Sequence, residues 1–170
     1  MGELDFENVV FGYGGNSLFN GFSASFAKEQ ISCIVGPNGC GKSTLAKLAM
    51  GLMKPASGRV LIQGRDVASL DSRERARRLG VLVQQQEAPM MTVRELTACG
   101  RFPHHGPLSR LNEADARCID ETLSLAGVYD LRDRPLRSLS GGQRQRARMA
   151  MVLAQDTPVV LLDEPTSFMD

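Results

Sequence analysis

Residues 31–51 constrain the fold more than any other stretch of this chain. A short apolar run, Ile31-Ser32-Cys33-Ile34-Val35, ends directly on Gly36-Pro37-Asn38-Gly39-Cys40-Gly41-Lys42-Ser43-Thr44. A helix-forming segment then runs from Lys42 to Met50, with Gly51 as its stop. The spacing of Gly36, Gly41, Lys42 and Ser43 is that of a phosphate-cradling loop between a strand and a helix. Its glycines let the backbone curl so that N–H groups face a phosphate chain, and the helix N-terminus adds partial positive charge. Lys42 then suits the β- and γ-phosphates, Ser43 a Mg²⁺ ion, and Thr44 the α-phosphate side. Such a loop fixes a mixed α/β architecture around it.

The rest of the chain reads as strands first and helices later. Leu4 to Phe11 and Phe22 to Phe26 have strand patterning, with Gly14-Gly15-Asn16 as turn chemistry between them. Arg59 to Ile62 is a strand after a Ser57-Gly58 turn, and Asp71-Ser72-Arg73-Glu74 opens a charged helix through Arg78. Leu79 to Val83 is a continuous apolar strand suited to burial on both faces. Thr92 with Glu95, and Ser140 with Gln143, are capping-box pairs that start helices, the second running through Ala154. Asn112 to Gly127 places Ala116, Ile119, Leu123 and Ala126 at helical spacing. Arg101 to Arg110 is loop-like, and His104 and His105 read there as exposed residues. No internal repeat or low-complexity segment interrupts this order.

Composition narrows the class. The 170 residues suffice for one domain with a core, and the formal charge of +1 gives no strong field to draw nucleic acid or an anionic membrane, which weakens a DNA-binding reading without excluding it. No apolar run is long enough to span a bilayer, and Met1 to Asp5 lacks a secretory pattern. Cys33, Cys40, Cys99 and Cys118 have neither zinc nor disulfide spacing, so a reducing cytosol is the simplest home. Cys33 reads as a filler in its strand, while the Cys40 thiol lies in the phosphate loop, open to alkylation. Val159 to Leu162 reads as a buried strand delivering Asp163 and Glu164 at its tip. Asp163 suits a Mg²⁺ contact, and Glu164 suits a general base that polarises water.

Leu139-Ser140-Gly141-Gly142-Gln143, standing between the phosphate loop and the Asp163-Glu164 strand, resembles the signature segment of the ATP-binding-cassette ATPases. That resemblance implies a RecA-like phosphate-loop core, an N-terminal antiparallel β-subdomain and a helical insert. Residues 1–86 would hold the β-subdomain and the first part of the core, 87–139 the helical subdomain, and 140–170 the signature helix and return, all within one cassette domain. It implies ATP and Mg²⁺ as ligands. It implies Gln84 at the end of its strand as a contact to Mg²⁺ and water, the register shared with Gln85 and Gln86. Tyr13 resembles the adenine-stacking aromatic, and Ser167 to Asp170 the loop that crosses the dimer interface. Phe168-Met169 stand where the family usually has Ala-Leu, and the family's γ-phosphate-sensing histidine has no counterpart by position, so the chain reads as a C-terminally incomplete cassette. Ser140, Gly141, Gly142 and Gln143 are then a surface that closes on nucleotide held by a second copy.

Thr92 to Leu96 followed by Gly100-Arg101-Phe102-Pro103-His104 is similar to importer ATPases for iron–siderophore, haem and cobalamin uptake. This implies a homodimer at the cytoplasmic face of a membrane, an integral-membrane permease docked around Gln86 to Phe102, and indirectly a substrate-binding protein, with no nucleic acid. Met90 and Met91 suit either that surface or the core. The alternatives are a soluble cassette ATPase of DNA repair or translation, and a non-hydrolytic nucleotide-binding fragment.

Overall fold

The computed structural model describes residues 2–82, 88–105 and 110–163. The chain divides into two compact units, residues 1–79 and 80–170.

The first unit is built on a hairpin. β1 (Leu4–Tyr13) and β2 (Asn16–Phe26) pair antiparallel from Leu4 opposite Phe26 to Tyr13 opposite Asn16. The reversal falls on Gly14 and Gly15, at φ 55° and 88°, the left-handed pair that a two-residue hairpin turn demands. β3 (Ser57–Ile62) pairs with β1, and β4 (Arg65–Asp66) closes the sheet order β2-β1-β3-β4. One face buries Phe6, Val9 and Phe19 with Val60 and Ile62. Phe6 meets Phe22 and Phe26 edge-on, at ring separations of 5.7 and 6.3 Å, the favoured quadrupole geometry.

Ser57-Gly58 is not the expected turn. Both residues lie inside β3, opposite a bulge where the β1 register slips between Glu7 and Val10. Gly58 is held at φ 78°, and a Cβ there would lie 2.3 Å from the Asn8 carbonyl oxygen, so the bulge and the glycine require each other. α1 (Lys42–Ala49) packs on β3 and buries Leu45, Leu48 and Ala49. α2 (Ser72–Ala76) opens on a reciprocal Asp71–Glu74 capping box.

The strand expected at Ile31–Val35 does not form. The segment is irregular, with Ile31 102% and Val35 87% exposed, and Cys33 is exposed rather than packed as filler. A strand exists through its ladder and its buried face. Among the described residues no neighbouring backbone pairs with this run, so its β-branched side chains have nothing to pack upon.

The second unit holds β5 (Leu79–Leu82) from Gly80 onward, β6 (Val159–Leu162) and α3 (Val93–Cys99), α4 (Glu113–Leu125) and α5 (Gly141–Ala154). Each helix starts on a complete capping box: Thr92 with Glu95, Asn112 with Asp115, Ser140 with Gln143. Their shared core is Val93, Leu96, Ile119, Leu123, Val128, Leu136, Leu139, Ala147 and Ala150. Met91 packs against it, while Met90 is exposed. Small residues on α5 let the neighbouring helices approach closely. A Cβ on Gly100 would lie 2.2 Å from the Met151 carbonyl oxygen.

Thr157 Oγ1, before β6, accepts from the Gly80 N–H, and the Asp163 N–H, after β6, donates to the Leu82 carbonyl at 2.9 Å. Start therefore meets start and end meets end, so β5 and β6 run parallel. β6 is only partly buried, with Val160 42% and Leu162 41% exposed. The expectation of a buried strand fails because β5 is the only partner among the described residues. No described helix is long and apolar enough to cross a membrane.

Candidate functional site

The phosphate loop lies in the first unit. Gly39 and Gly41 sit at φ 83° and 106°, conformations that a side chain would strain. Gly41 is required a second time, because a Cβ there would come within 2.6 Å of Phe19 Cζ. Gly41 is the N-cap of α1, so the helix begins with no side-chain cap and no acid in its first turn. Helix-opening N–H groups that lack a side-chain acceptor offer themselves to an anion. Lys42 Nζ folds back to donate to the carbonyls of Gly36 at 2.8 Å and Pro37 at 3.0 Å. It thus stands over the loop, bonded to weak neutral acceptors that a phosphate oxygen would outcompete.

Ser43 is exposed, as are Pro37, Asn38 and Cys40. The Cys40 sulfur closes over Gly36, where a Cβ would come within 2.7 Å of it. Thr44 is buried, and its Oγ1 lies 3.2 Å from the Tyr13 hydroxyl. The Tyr13 ring is 47% exposed and stands edge-on to Phe11, at a ring separation of 5.0 Å. The structure therefore brings Tyr13 to the helix end of the loop with part of its ring open to solvent.

Ser140 to Gln143 and Asp163 lie in the second unit. The Gln143 N–H donates to Ser140 Oγ at 3.2 Å, and the Ser140 N–H donates to Gln143 Oε1 at 3.0 Å. Ser140 is exposed, and Gly141 and Gly142 add no side chain to cover the helix tip. Asp163 is held by its own N–H at the end of the β5–β6 ladder. A serine hydroxyl and a carboxylate are hard oxygen donors of the kind Mg²⁺ takes. Gln84, Glu164 and Asp170 fall outside the described residues, as do Gln85, Gln86 and Ser167.

The histidines are not the exposed loop residues expected. His104 Nε2 lies 2.7 Å from the Gln155 carbonyl oxygen. His105 Nε2 lies 2.8 Å from Asp115 Oδ2, off the line of a good hydrogen bond. The same carboxylate accepts from Arg101 Nε at 2.9 Å and from the Asn112 N–H at 2.9 Å. Burial pushes the Asp115 carboxyl up, but the Asn112 N–H, His105 and Arg101 outweigh it and hold it at about 2. Sequence reading missed this cluster. The Asn112-x-x-Asp115 spacing was the one local signal, since it is a capping pattern.

An uncapped helix tip behind a glycine loop, with a lysine folded over it, defines a phosphate-loop nucleotide-binding module. The family model described as "ABC transporter" matches residues 19–167. The chain belongs to the ABC transporter family, as an ATP-binding domain with a P-loop NTPase fold. It is 40% identical to the iron(3+)-hydroxamate import ATP-binding protein FhuC of Bacillus subtilis (strain 168), with 100% of this chain and 64% of that protein covered. It is 41% identical to the ferric enterobactin transport ATP-binding protein FepC of Escherichia coli (strain K12), covering 96% of this chain and 61% of that one. The chain thus spans under two thirds of the length of these relatives. Among solved structures it resembles cbiO1 from Clostridium perfringens, part of the ABC transporter complex cbiONQ, at TM-score 0.84 and 28% identity over 99% of this chain and 67% of that one. A bacterial Atm1-family ABC exporter with ATP bound matches at TM-score 0.81 and 31% identity, over 98% of this chain and 30% of that one.

Proposed function

We propose that this chain is the nucleotide-binding part of an ATPase subunit that powers a membrane importer of the iron–siderophore type. The observation that carries the nucleotide reading is the α1 tip, uncapped and faced by Lys42 on the Gly36 and Pro37 carbonyls. Family membership and the import names of the FhuC and FepC relatives support the transport reading. Haem or cobalamin complexes are related cargoes of the same class.

In this reading, the N–H groups from Gly39 to Thr44 bind the phosphate chain and Lys42 neutralises its outer end. Tyr13 packs on the base. Ser43, Asp163 and Gln84 are the residues that would hold Mg²⁺, which would supply positive charge to offset that of the phosphate chain. Glu164 takes the proton of the attacking water. Ser140, Gly141, Gly142 and Gln143 of a second copy complete the site from across a two-fold axis, with Asp170 in the loop between the copies. The assembly sits peripherally on the cytoplasmic side against a permease, and a substrate-binding protein delivers the cargo. Nucleotide binding moves such an assembly only by the difference in its affinity for the paired and separated states.

The test is equilibrium binding of MgATP to the chain and to its Lys42→Ala variant. The variant is expected to bind at least about tenfold more weakly, the equivalent of one charge-assisted hydrogen bond. Equal affinities would remove the phosphate-loop assignment.

A further inference from the structure

The signature helix α5 is held at the end opposite its Ser140 tip. A helix leaves its last carbonyls without partners, and α5 has no basic residue of its own in its last turn. The donors come instead from the segment after α3. Arg101 Nη1 donates to the Ala154 carbonyl at 2.8 Å, and His104 Nε2 lies 2.7 Å from the Gln155 carbonyl oxygen. A carbonyl only accepts, so that ring nitrogen carries the hydrogen.

The donors are themselves fixed. Arg101 Nε is bound to Asp115 at the start of α4, and Asp115 is 2% exposed. Gly100 presses the end of α3 against the last turn of α5, with no room for a Cβ beside Met151. Beyond Gln155 the chain turns through Asp156 at φ 51°, engages Gly80 through Thr157 and enters β6, which leads to Asp163. Two groups of the proposed site, the Ser140 turn and Asp163, are therefore joined through this one segment, by α5 on one side and β6 on the other.

We infer that Arg101 and His104 are positioning residues that clamp the C-terminus of α5 and so set where the Ser140-Gly141-Gly142 turn meets nucleotide on a second copy. This rests on the proposed function above. The leverage follows from length. The 14 residues of α5 make a rod of about 21 Å, so a tilt of about 3° at the clamp moves the far tip by about 1 Å. A misplacement of about 1 Å in a reacting constellation can cost about a hundredfold in rate.

The experiment compares His104→Ala, His104→Gln and Arg101→Lys in the full-length protein by steady-state ATP hydrolysis and by MgATP binding to the isolated subunit. Glutamine retains an N–H that reaches the Gln155 carbonyl. Lysine keeps the charge but not the fork that joins Asp115 to Ala154. His104→Ala is expected to lower kcat about tenfold while ATP affinity stays within about twofold, and His104→Gln to restore most of the rate. Arg101→Lys is expected to lower kcat likewise; if it unfolds the protein, the two His104 variants decide the matter. Normal kcat in His104→Ala overturns the inference. So does a loss that glutamine fails to rescue, or one matched by an equal loss of ATP affinity. Lys42→Ala measured alongside separates the two layers. If it binds and hydrolyses ATP normally, the proposed function itself fails. If it is inactive while His104→Ala is normal, only the clamp fails.

Discussion

Replacing Asp115 by asparagine removes a charge at almost constant volume, in the place where the second unit depends on one. The carboxylate is 2% exposed and faces Arg101, His105 and the Asn112 N–H within 2.9 Å. The Arg101 side chain is only 14% exposed, and a guanidinium stays charged at any relevant pH. The variant therefore strands a buried cation, which costs about 3–5 kcal/mol when one partner of a buried pair is removed. Asparagine keeps an oxygen that accepts from either Arg101 or Asn112, which places the loss at the lower end, about 3 kcal/mol. That is a large share of the roughly 5–15 kcal/mol that holds a domain together. The assay is urea unfolding at neutral pH, followed by circular dichroism, on the wild type, Asp115→Asn, Arg101→Met and the double variant. The double variant strands no charge, so its loss should fall short of the sum of the single losses by about 1.5 kcal/mol or more. A single-variant loss below about 1 kcal/mol, the range of exposed ion pairs, would refute the reasoning. Strict additivity would refute it as well.

Two further expectations follow from particular positions. The Asp115 carboxyl is held at about 2 against its ordinary 3.8, so its stabilising contribution is complete above about pH 4 and is lost as pH falls toward 2. Acid titration of stability should show that loss in the wild type and not in Asp115→Asn; parallel curves would contradict it. Gly58→Ala should destabilise the chain by about 2–4 kcal/mol, from left-handed backbone strain together with overpacking against Asn8. A change below about 0.5 kcal/mol in denaturant unfolding would show that the bulge relaxes freely.

What the sequence displayed was the local chemistry. The Thr92–Glu95 and Ser140–Gln143 pairs start helices because a cap needs only residues three apart. The Gly14-Gly15 reversal and the Gly41-Lys42 helix start are equally short-range. What it hid depends on distant partners. Gly58 looked like a turn because its bulge partner, Asn8, is on another strand. Ile31–Val35 carries strand chemistry but finds no ladder among the described residues. Asp115 is buried only because Arg101 and His105, well separated from it in sequence, fold over it. The second face of β6 is open for the same kind of reason, since a run of four apolar residues reports chemistry and not how many neighbours a strand acquires. For the candidate site, the glycine-led start of α1 at Gly41-Lys42 was legible, whereas the strand expected before the loop did not form and the contacts of Arg101 and His104 with the end of α5 were not legible.

The central claim is that nucleotide gripped at Lys42 in one copy is completed at Ser140 of another. Sedimentation of the full-length Glu164→Gln protein with saturating MgATP tests it most directly, because blocked hydrolysis should leave the pair closed. The account predicts a two-copy species that requires nucleotide and disappears when Ser140→Arg is added, while each single copy still binds ATP. A protein that stays single under saturating ATP, or that pairs equally well with Ser140→Arg, would contradict it.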